Sequence, residues 1–422
     1  MTPQIKQRIE QIRRGEVPEG YKRTKAGVVP IEWEEVHIGD VLTQRKTLQC
    51  VSEDAPLLSF TIEEGVIDPE DKKSNKRDFL IKDITTKKFV LTEVGDIIYN
   101  PANLKFGAIH RNNLRRGVVS PIYGIFYGAQ NSTFMGYLLH NQRFIDYAKI
   151  YAEGTVEKLK TLSADTFKKL KITLPSLKEQ ERIVKILSAQ DKLIELQAGK
   201  INQLKMLKKG YQQRLFPKKG YSCPVLRFQG FNNDWELHKI IDIVDIFDGI
   251  HQTPNYQDHG VMFLSVENIE TLQSSKFISE EDFKTYFKIY PQKDDVLMTR
   301  IGDVGTTNIV TDSGLRAYYV SLALLKYKGT DPYFLSNAIQ SEYVQKGLSD
   351  RTLKTAVPMK INKDEIGKVD IMLPVSSTEQ EKIGAYFRDL DKLIYTYISK
   401  LNEEKEKKKA LMQLLLTGIV RV

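Results

Sequence analysis

Six short segments of the chain combine arginine or lysine with asparagine, glutamine, histidine, threonine or tyrosine. Arginine, asparagine and glutamine pair bidentately with guanine and adenine in the major groove of DNA, whereas lysine more often contacts a phosphate. The segments therefore predict contacts to DNA, and a solvated polar surface is the alternative interpretation of each. The candidate DNA-binding residues are Arg45, Lys46, Lys72, Lys73, Lys76, Arg77, Arg111, Arg115, Arg116, His251, Gln252, Thr253, Tyr256, Arg300, Arg351 and Lys354.

No residue pattern in the sequence indicates catalysis. Gly302-Asp303-Val304-Gly305 lacks the lysine of a phosphate-binding loop, so it is interpreted as a turn. The six histidines show no metal-ligand spacing, and Asn100-Pro101-Ala102-Asn103 lacks the second proline and the aromatic residue with which adenine methyltransferases hold a flipped base. Cys50 and Cys223 are too few for a zinc site. We therefore expect no catalytic residue, metal or cofactor on this chain.

Composition bounds the class of protein. The 422 residues carry a formal net charge of +9, which favours a nucleic-acid partner only weakly, because many basic proteins never bind DNA. The charge is uneven, and residues 217–374 contain slightly more acidic than basic side chains. Residues 1–20 are charged throughout, and no run approaches the roughly 18 apolar residues of a membrane span. We expect a soluble, cytoplasmic protein without a membrane partner.

The elements that position the polar segments come from a duplicated sequence. Glu179-Gln180-Glu181-Arg182-Ile183 recurs as Glu379-Gln380-Glu381-Lys382-Ile383, and Asp191-Lys192-Leu193-Ile194 recurs as Asp391-Lys392-Leu393-Ile394. Both copies keep one offset without a gap. A period this long is not that of a solenoid, whose repeats span roughly 20 to 50 residues. The sequence therefore predicts a duplicated module.

Each copy contains a long segment whose apolar residues are spaced alternately four and three apart, as in a coiled coil. Pro175-Ser176 and Pro374 with Ser376 precede these segments and supply helix starts, with acidic residues in the first turn. One amphipathic helix packed on its own domain is the alternative for either segment, but two segments in one heptad phase favour pairing. The predicted seam consists of Ile183, Leu187, Ile194, Ile201, Leu204, Tyr211, Leu215, Ile383, Phe387, Leu390, Ile394, Tyr397, Leu401, Leu411 and Leu415.

The segment before each helix also has a repeated start. Trp33-Glu34 followed by Ile38 is matched by Trp235-Glu236 followed by Ile240. Short runs rich in β-branched and aromatic residues, interrupted by glycine, asparagine and proline, predict strands and hence mixed α/β domains. The predicted boundaries are a helical leader at 1–20, a first domain at 21–175, a central helical region at 176–217, a second domain at 218–374 and a C-terminal helical region at 375–422.

Chain order constrains how the two helices pair. The first helix leads into the second domain and the second helix leaves it, so a compact domain with close termini places these two helix ends together. Paired helices must then run antiparallel, and about 38 residues at 1.5 Å each make a rod of roughly 57 Å. The predicted fold class is α+β, with two mixed α/β domains joined by an antiparallel coiled coil in a pseudo-two-fold internal repeat.

The domain entries and helix openings together resemble those of the specificity subunits of type I restriction-modification enzymes. The resemblance covers nearly the entire chain, and His251–Tyr256 and Met298–Gly302 look like motifs common in one class of recognition domain. It rests on Pro18–Lys22 leading to Ile31–Glu34, Leu226–Phe231 leading to Asp234–Glu236, Leu174-Pro175 with Glu179–Glu181, and Leu373-Pro374 with Glu379–Glu381.

The resemblance implies a non-catalytic DNA reader. Each of its two target-recognition domains would bind one half of a bipartite, asymmetric sequence in double-stranded DNA, and the coiled coil would set the spacer. Two methyltransferase (modification) subunits would dock on the helices, with S-adenosylmethionine bound on those partners. Motor/endonuclease (restriction) subunits would bring ATP and Mg. The alternatives are a self-sufficient restriction or modification enzyme and a coiled-coil scaffold without DNA function.

Overall fold

The computed structural model describes residues 2–25, 27–72, 86–152, 161–329 and 331–422. The chain divides into two compact units. Unit 1 comprises Met1–Leu196 together with Leu401–Val422, and unit 2 comprises Gln197–Lys400. Two helices, α6 (Leu177–Leu215) and α12 (Ser377–Leu415), each contribute one part to either unit.

Unit 1 combines short strands with five helices among its described residues, besides its parts of α6 and α12. Three-residue 3₁₀ turns lie at Pro69–Asp71 and Leu104–Phe106. The other elements are α1 Pro3–Arg13, β1 Tyr21–Thr24, β2 Gly27–Pro30, β3 Glu34–His37, α2 Ile38–Val41, β4 Thr43–Gln44, β5 Leu48–Gln49, β6 Ser59–Thr61, β7 Gly65–Ile67, β8 Phe89–Thr92, β9 Ile97–Tyr99, β10 Ile109–Arg111, β11 Gly117–Val119, β12 Gly124–Tyr127, α3 Ser132–His140, α4 Gln142–Ile150, α5 Ala164–Lys169 and β13 Lys171–Leu174.

Unit 2 has a similar order of elements. A 3₁₀ turn lies at Val266–Asn268. Its helices and strands are β14 Glu236–Lys239, α7 Ile240–Ile243, β15 Val244–Asp248, β16 Val261–Leu264, β17 Phe277–Ile278, α8 Glu280–Tyr286, β18 Val296–Thr299, β19 Thr307–Ile309, β20 Arg316–Tyr318, β21 Leu322–Tyr327, α9 Pro332–Ile339, α10 Glu342–Arg351, α11 Lys363–Gly367 and β22 Asp370–Leu373.

Each unit contains a four-stranded antiparallel sheet of the same topology. The strand order is β10-β9-β12-β4 in unit 1 and β19-β18-β21-β15 in unit 2. Ile98 is paired with Ile125 in the first sheet, and Leu297 with Leu324 in the second. All four side chains are buried, as expected for sheets covered on both faces. The predicted duplication of the scaffold is confirmed at this level.

A second, three-stranded sheet differs between the units. Unit 1 has the order β11-β8-β5 with antiparallel pairs throughout. Unit 2 has the order β17-β16-β20, in which Phe263 of β16 is paired in parallel with Ala317 of β20. The four-stranded sheet therefore has the same topology in both domains, whereas the three-stranded sheet differs between them.

A two-stranded sheet joins the start and the end of each domain. β3 pairs with β13 in unit 1, and β14 pairs with β22 in unit 2. Trp33 and Trp235, which mark the repeated starts, are both buried in the main cores. Because each last strand is followed within a few residues by a long helix, this sheet fixes where α6 and α12 leave their domains.

Both long helices begin where the sequence predicts. The Glu179 amide donates to Ser176 Oγ at 3.4 Å, and the Gln180 amide donates to the Ser176 carbonyl at 2.9 Å. The Glu379 amide donates to the Ser376 carbonyl at 3.1 Å. These bonds satisfy amides in the first turn that have no partner within the helix.

The two helices run antiparallel within each unit. In unit 1 the start of α6, at Ile183 and Leu187, shares a core with the end of α12 at Leu415. In unit 2 the later part of α6 packs on the start of α12, where the rings of Tyr211 and Tyr386 have centroids 5.0 Å apart. The fold class predicted from the sequence is confirmed.

Every residue of the predicted seam is buried or half-buried. Polar residues interrupt the seam at defined points. Gln190 donates through Nε2 to the Glu404 carbonyl oxygen at 3.1 Å and to its carboxylate at 2.5 Å. The Oε1 atom of Gln197 is buried and has no hydrogen-bond partner in the part of the chain that the structure describes. Since a buried polar group favours the register that satisfies it, the Gln190–Glu404 contact favours one alignment of the helices in unit 1.

Candidate nucleic-acid interface

Three loops of unit 2 meet around Arg300, which directly follows β18. The guanidinium group of Arg300 forms an ion pair with Asp248. Asp248 is the last residue of β15 and directly precedes the 249–260 loop. The backbone carbonyl of Arg300 accepts from the Ile361 amide at 3.0 Å, and the Gly302 amide donates to the Met359 carbonyl at 2.8 Å. The structure thus brings together the segments at 251–256, 299–302 and 351–361, which are distant in the sequence.

The loop after β15 presents polar side chains to solvent. His251, Gln252, Thr253 and Tyr256 are all exposed. The Tyr256 ring lies 5.6 Å from the Phe263 ring, and Nζ of Lys276 lies 5.5 Å from the Tyr256 centroid. The Tyr256 ring thus packs against unit 2, while the side chains of His251, Gln252 and Thr253 are exposed to solvent.

Two exposed cations lie at the start of the third loop: Arg351, the last residue of α10, and Lys354. Arg351 lies 3.2 Å from the Glu365 carboxylate, and its side chain is still 38% exposed. A half-exposed pair of this kind is weak. Both cations can therefore contact a phosphate at little cost in protein stability.

Arg300 does not lie in the exposed position that its sequence context suggests. Its side chain is 7% exposed, and its Nε atom is buried with no hydrogen-bond partner among the described residues. Burial lowers the pKa of the Arg300 guanidinium, although it remains a cation. The buried side chain of Arg300 binds the carboxylate of Asp248, whose own side chain is partly exposed.

The neighbouring Gly302-Asp303-Val304-Gly305 segment is a turn, as predicted. Gly302 and Gly305 have φ of +83° and +97°, a backbone region that favours glycine. Thr299 Oγ1 donates to Asp303 Oδ2 at 3.1 Å and accepts from the Thr306 amide at 3.0 Å. The turn returns the chain from β18 to β19 and shapes the edge of the loop cluster.

In unit 1, Arg45 is held by two carboxylates at the end of β4. Its Nε donates to Asp96 at 2.7 Å, and its Nη2 atom lies 3.4 Å from Glu93. Its guanidinium carbon lies 4.5 Å from the centroid of the Tyr127 ring. Hydrogen bonding to Asp96 raises the pKa of Arg45. The side chain of the adjacent Lys46, in contrast, is exposed to solvent.

The arginines of the 110–116 segment are also paired. Arg111 donates to Ser132 Oγ at 3.1 Å, and Arg115 forms an ion pair with Asp68. Arg116 lies 3.6 Å from Glu93, the carboxylate that Arg45 also contacts. The structure thus joins Arg45 and Arg116 through one shared acid. Lys72 is half-buried, and the predicted residues Lys73, Lys76 and Arg77 lie outside the described residues.

Sequence reasoning missed the acidic partners of these cations. Asp96 and Asp248 end or adjoin strands and are separated by about 50 residues from the arginines they bind. It also missed Lys276, whose contact with Tyr256 arises only in the folded domain. The polar, turn-rich composition of the loops indicated candidate residues for DNA contact but not the ion pairs that these residues form in the fold.

The described part of the chain contains no group of three histidine, cysteine, aspartate or glutamate side chains arranged to hold a metal ion. Within the same residues, no helix has the length and apolar character needed to cross a lipid bilayer.

The sequence and the fold of this chain are similar to those of known proteins. A family model described as the type I restriction modification DNA specificity domain matches residues 30–206 and again residues 232–407. The chain is 24% identical over 427 residues to the type I restriction enzyme MjaVIII specificity subunit of Methanocaldococcus jannaschii, and the alignment covers 96% of both proteins.

Solved structures of low sequence identity share the fold. The crystal structure of the type I restriction-modification system S subunit from M. genitalium has a TM-score of 0.55 at 15% identity, covering 91% of this chain and 96% of that one. A chain from a structural study of complex assembly and conformational transition in a type I restriction-modification system has a TM-score of 0.53 at 18% identity, covering 93% and 99%.

The duplicated domain, the exposed loops and the family match define a DNA sequence-recognition protein. The chain belongs to the family of type I restriction modification DNA specificity domains, which matches it twice over most of its length. Members act as non-catalytic specificity subunits of restriction-modification enzymes and carry no cofactor of their own. The resemblance, the recognition function and the expectation that this chain is not an enzyme are confirmed.

Proposed function

We propose that unit 1 and unit 2 each bind one half of a bipartite, asymmetric target in double-stranded DNA. The observation that carries this proposal is the convergence of three loops around Arg300, next to a sheet whose topology is repeated in unit 1. The two units differ in their second sheets and loops, so the two half-sites should differ in sequence. A palindromic target is therefore not expected.

Within this proposal, the side chains with free hydrogen-bonding groups read the bases. In unit 2 these are His251, Gln252 and Thr253. Arg351 and Lys354 of the same unit contact phosphates. In unit 1, Lys46 and Lys72 bind phosphates, while Arg111, Arg115 and Arg116 exchange their present partners for DNA. Arg45 and Arg300 act as positioning residues because acids already hold them.

The paired helices set the spacer between the half-sites and dock two methyltransferase subunits. Supporting this role, ion pairs at positions 200 residues apart recur in the two units, so each unit offers a partner a similar helix pair. S-adenosylmethionine would be bound by the methyltransferase subunits, and ATP and Mg by the restriction subunits. The assembled enzyme would act on DNA in the cytoplasm.

The test begins with co-expression of this chain and its methyltransferase subunit in a host that lacks DNA methylation. Mapping methylated adenines should reveal two short, unlike half-sites separated by a fixed spacer. The Gln252→Ala/Thr253→Ala variant should relax only one half-site, and Lys46→Ala should weaken binding without changing the sequence read. Relaxation of both half-sites by the unit 2 variant would contradict the assignment.

The rival interpretation of a self-sufficient enzyme is tested with the purified chain alone. Incubated with S-adenosylmethionine and DNA containing the mapped target, the isolated chain should transfer no methyl group, whereas the complex should. Turnover by the chain alone would reject the proposal that the chemistry lies on partner subunits. A scaffold without DNA function would bind the mapped target no better than a scrambled duplex.

A further inference from the structure

The loop that follows α10 ends in an exposed apolar tip. Leu353 and Lys360 form an antiparallel bridge, in which the Leu353 amide donates to the Lys360 carbonyl at 2.8 Å. Val357 at the tip is 99% exposed, and Leu353 and Met359 are 47% and 45% exposed. Exposure of several apolar side chains on one short loop is unfavourable in water, and such patches mark contact sites.

The charge of this loop selects the class of partner. Residues 351–360 contain Arg351, Lys354 and Lys360 and no acidic residue. A cationic loop with an apolar tip is complementary to a polyanion with an apolar interior, which describes the phosphates and stacked bases of DNA. The same loop lies in the cluster around Arg300, next to the polar side chains of the 251–256 loop.

The base of the loop is fixed to the sheet. Gly302 and Ile361 form the backbone hydrogen bonds to Met359 and Arg300, at 2.8 and 3.0 Å, and Ile301 forms a bridge with Lys360. The guanidinium group of Arg300 is itself held by the partly buried ion pair with Asp248. A fixed base matters because unstacking a base step is energetically unfavourable, and a loop that was free to move away from the DNA would not separate the bases.

We propose that the 353–360 hairpin is an apolar wedge that inserts Val357, supported by Leu353 and Met359, into a base step of the half-site bound by unit 2. Lys354 and Lys360 contact the flanking phosphates. Apolar side chains that enter a groove in this way partly unstack the bases and kink the duplex. The inference rests on the proposed DNA-recognition function and adds a distortion of the DNA to it.

The two halves of the chain differ at this point, which makes the proposal specific. In unit 1 the Leu162 amide donates to the Pro101 carbonyl at 3.0 Å. The corresponding hydrogen bond in unit 2 joins the Ile361 amide to the Arg300 carbonyl, also at 3.0 Å. The sequence between Tyr151 and Leu162 contains Glu153 and Glu157, so it lacks the uniform positive charge of the 351–360 loop. Distortion is therefore expected in one half-site only.

The experiment uses the full chain in complex with its methyltransferase subunit, without S-adenosylmethionine. The probe is a duplex that carries the methylation target mapped in cells, with 2-aminopurine replacing each adenine in turn. Fluorescence should rise at a step of one half-site that is not the methylated adenine. Leu353→Ser/Val357→Ser/Met359→Ser should abolish that rise and weaken binding about tenfold.

Two matched variants separate the wedge from general effects. Leu237→Ser removes an exposed apolar side chain of β14, outside the three loops, and should leave both fluorescence and affinity unchanged. Lys354→Ala/Lys360→Ala should keep the fluorescence rise but reduce the slope of log affinity against log salt by about 2. The triple serine variant alters side chains in solvent, so its unfolding midpoint should match that of the wild type.

The outcomes are distinguishable. Specific binding by the wild-type complex without a fluorescence rise, or a triple serine variant that behaves like the wild type, overturns the wedge alone. Failure of the triple serine variant to co-purify with the methyltransferase subunit also overturns it, because the tip would then be a protein contact. Absence of sequence-specific binding by the wild-type complex overturns the proposed function itself.

Discussion

Nζ of Lys208 on α6 lies 2.7 Å from Oδ1 of Asp391 on α12 in unit 2. Their counterparts 200 residues away, Lys408 and Asp191, form the same pair in unit 1 at 2.5 Å. In unit 1 the hydroxyl of Tyr137 also donates to Asp191 at 2.5 Å, and burial together with this bond raises the pKa of Tyr137 to about 12. The repeated sequence therefore produces a repeated interhelical contact.

Reversal of one charge should destabilise this contact. Asp391→Lys faces Lys208 and should lower the free energy of unfolding of unit 2 by about 1 kcal/mol, because the pair is only partly exposed. Lys208→Asp/Asp391→Lys should recover most of the loss in denaturant unfolding. Lys192→Glu, which affects an exposed pair within α6, serves as control and should change stability by less than about 0.5 kcal/mol. Additive effects of the two reversals would contradict pairing.

The helices should act as the spacer of the complex. Duplicating residues 194–200 in α6 and 394–400 in α12 preserves the heptad phase of both seams and adds about 10 Å of helix. The mapped target should then keep both half-sites and gain about 3 base pairs of spacer. A heptad added to α6 alone breaks the register with α12 and should abolish activity. An unchanged spacer in the doubly extended protein would show that the helices do not set the distance.

Breaking the buried ion pair at the start of α12 should be costly. Glu379 is 1% exposed and is bound by Arg227 through two hydrogen bonds of 2.7 and 2.8 Å. Arg227→Met leaves the carboxylate buried without its partner, so the unfolding free energy of unit 2 should fall by about 3 kcal/mol. Arg227→Met/Glu379→Gln should be less destabilised than the single variant, since the buried charge is gone. Equal stabilities of wild type and Arg227→Met by urea unfolding would refute this.

Arg300 should be needed for the structure of the interface. Arg300→Ala is expected to destabilise unit 2 by about 1–3 kcal/mol, because it removes the hydrogen-bonding partner of Asp248, whose side chain is 26% exposed. DNA binding through unit 2 should weaken for all bases of its half-site together. Gln252→Ala is the matched control, and it should leave the unfolding midpoint unchanged while relaxing one position. A stable Arg300→Ala protein that relaxes a single base position would instead make Arg300 a direct base contact.

Unit 1 should lose stability in mild acid. The rings of His110 and His140 have centroids 4.3 Å apart, and each ring donates to a backbone carbonyl. Burial and the neighbouring His140 lower the pKa of His110 to about 4, and burial also lowers the pKa of His140. Between pH 6.5 and 4 the unfolded chain binds protons that the folded chain does not, so stability falls as pH falls.

The size of this acid effect can be measured against a variant. The loss from His110 should reach about 3 kcal/mol at pH 4, following from 1.36 kcal/mol per pKa unit. His110→Gln should lose less stability than the wild type between pH 7 and 5, by urea unfolding. His251→Gln, an exposed histidine of unit 2, should follow the wild-type curve. Parallel curves for wild type and His110→Gln would show that the histidine pair does not carry the effect.

The parts of the fold that depend on short sequence distances were predictable. Heptad spacing predicted the seam at Ile183 and Phe387, and both side chains are fully buried. Ser176 predicted the start of α6, because capping depends on residues within one turn. Glycine spacing likewise predicted the turn at 302–305. Each of these features is determined by neighbours along the chain.

The interior of the interface was not predictable for the opposite reason. Arg300 follows Thr299 in a polar segment typical of an exposed loop. No neighbouring residue in the sequence indicates that Arg300 is buried or that it pairs with Asp248, 52 positions earlier. Arg45 and Asp96 are separated by 51 positions. The sequence indicated which loops are rich in polar and basic residues. Only the fold determines which of these cations form ion pairs with an acidic side chain of the same unit.

The division of α6 and α12 between the units has a consequence for biosynthesis. Unit 2 is formed by one continuous stretch, Gln197–Lys400, so a single segment of the chain contains all of its core residues. Unit 1 needs Leu415 for its core and Arg421 to pair with Glu179 at 2.6 Å. Unit 1 can therefore close only after the segment that begins at Leu401 has been translated, and a chain released before residue 401 would leave unit 1 open to proteases while unit 2 is complete.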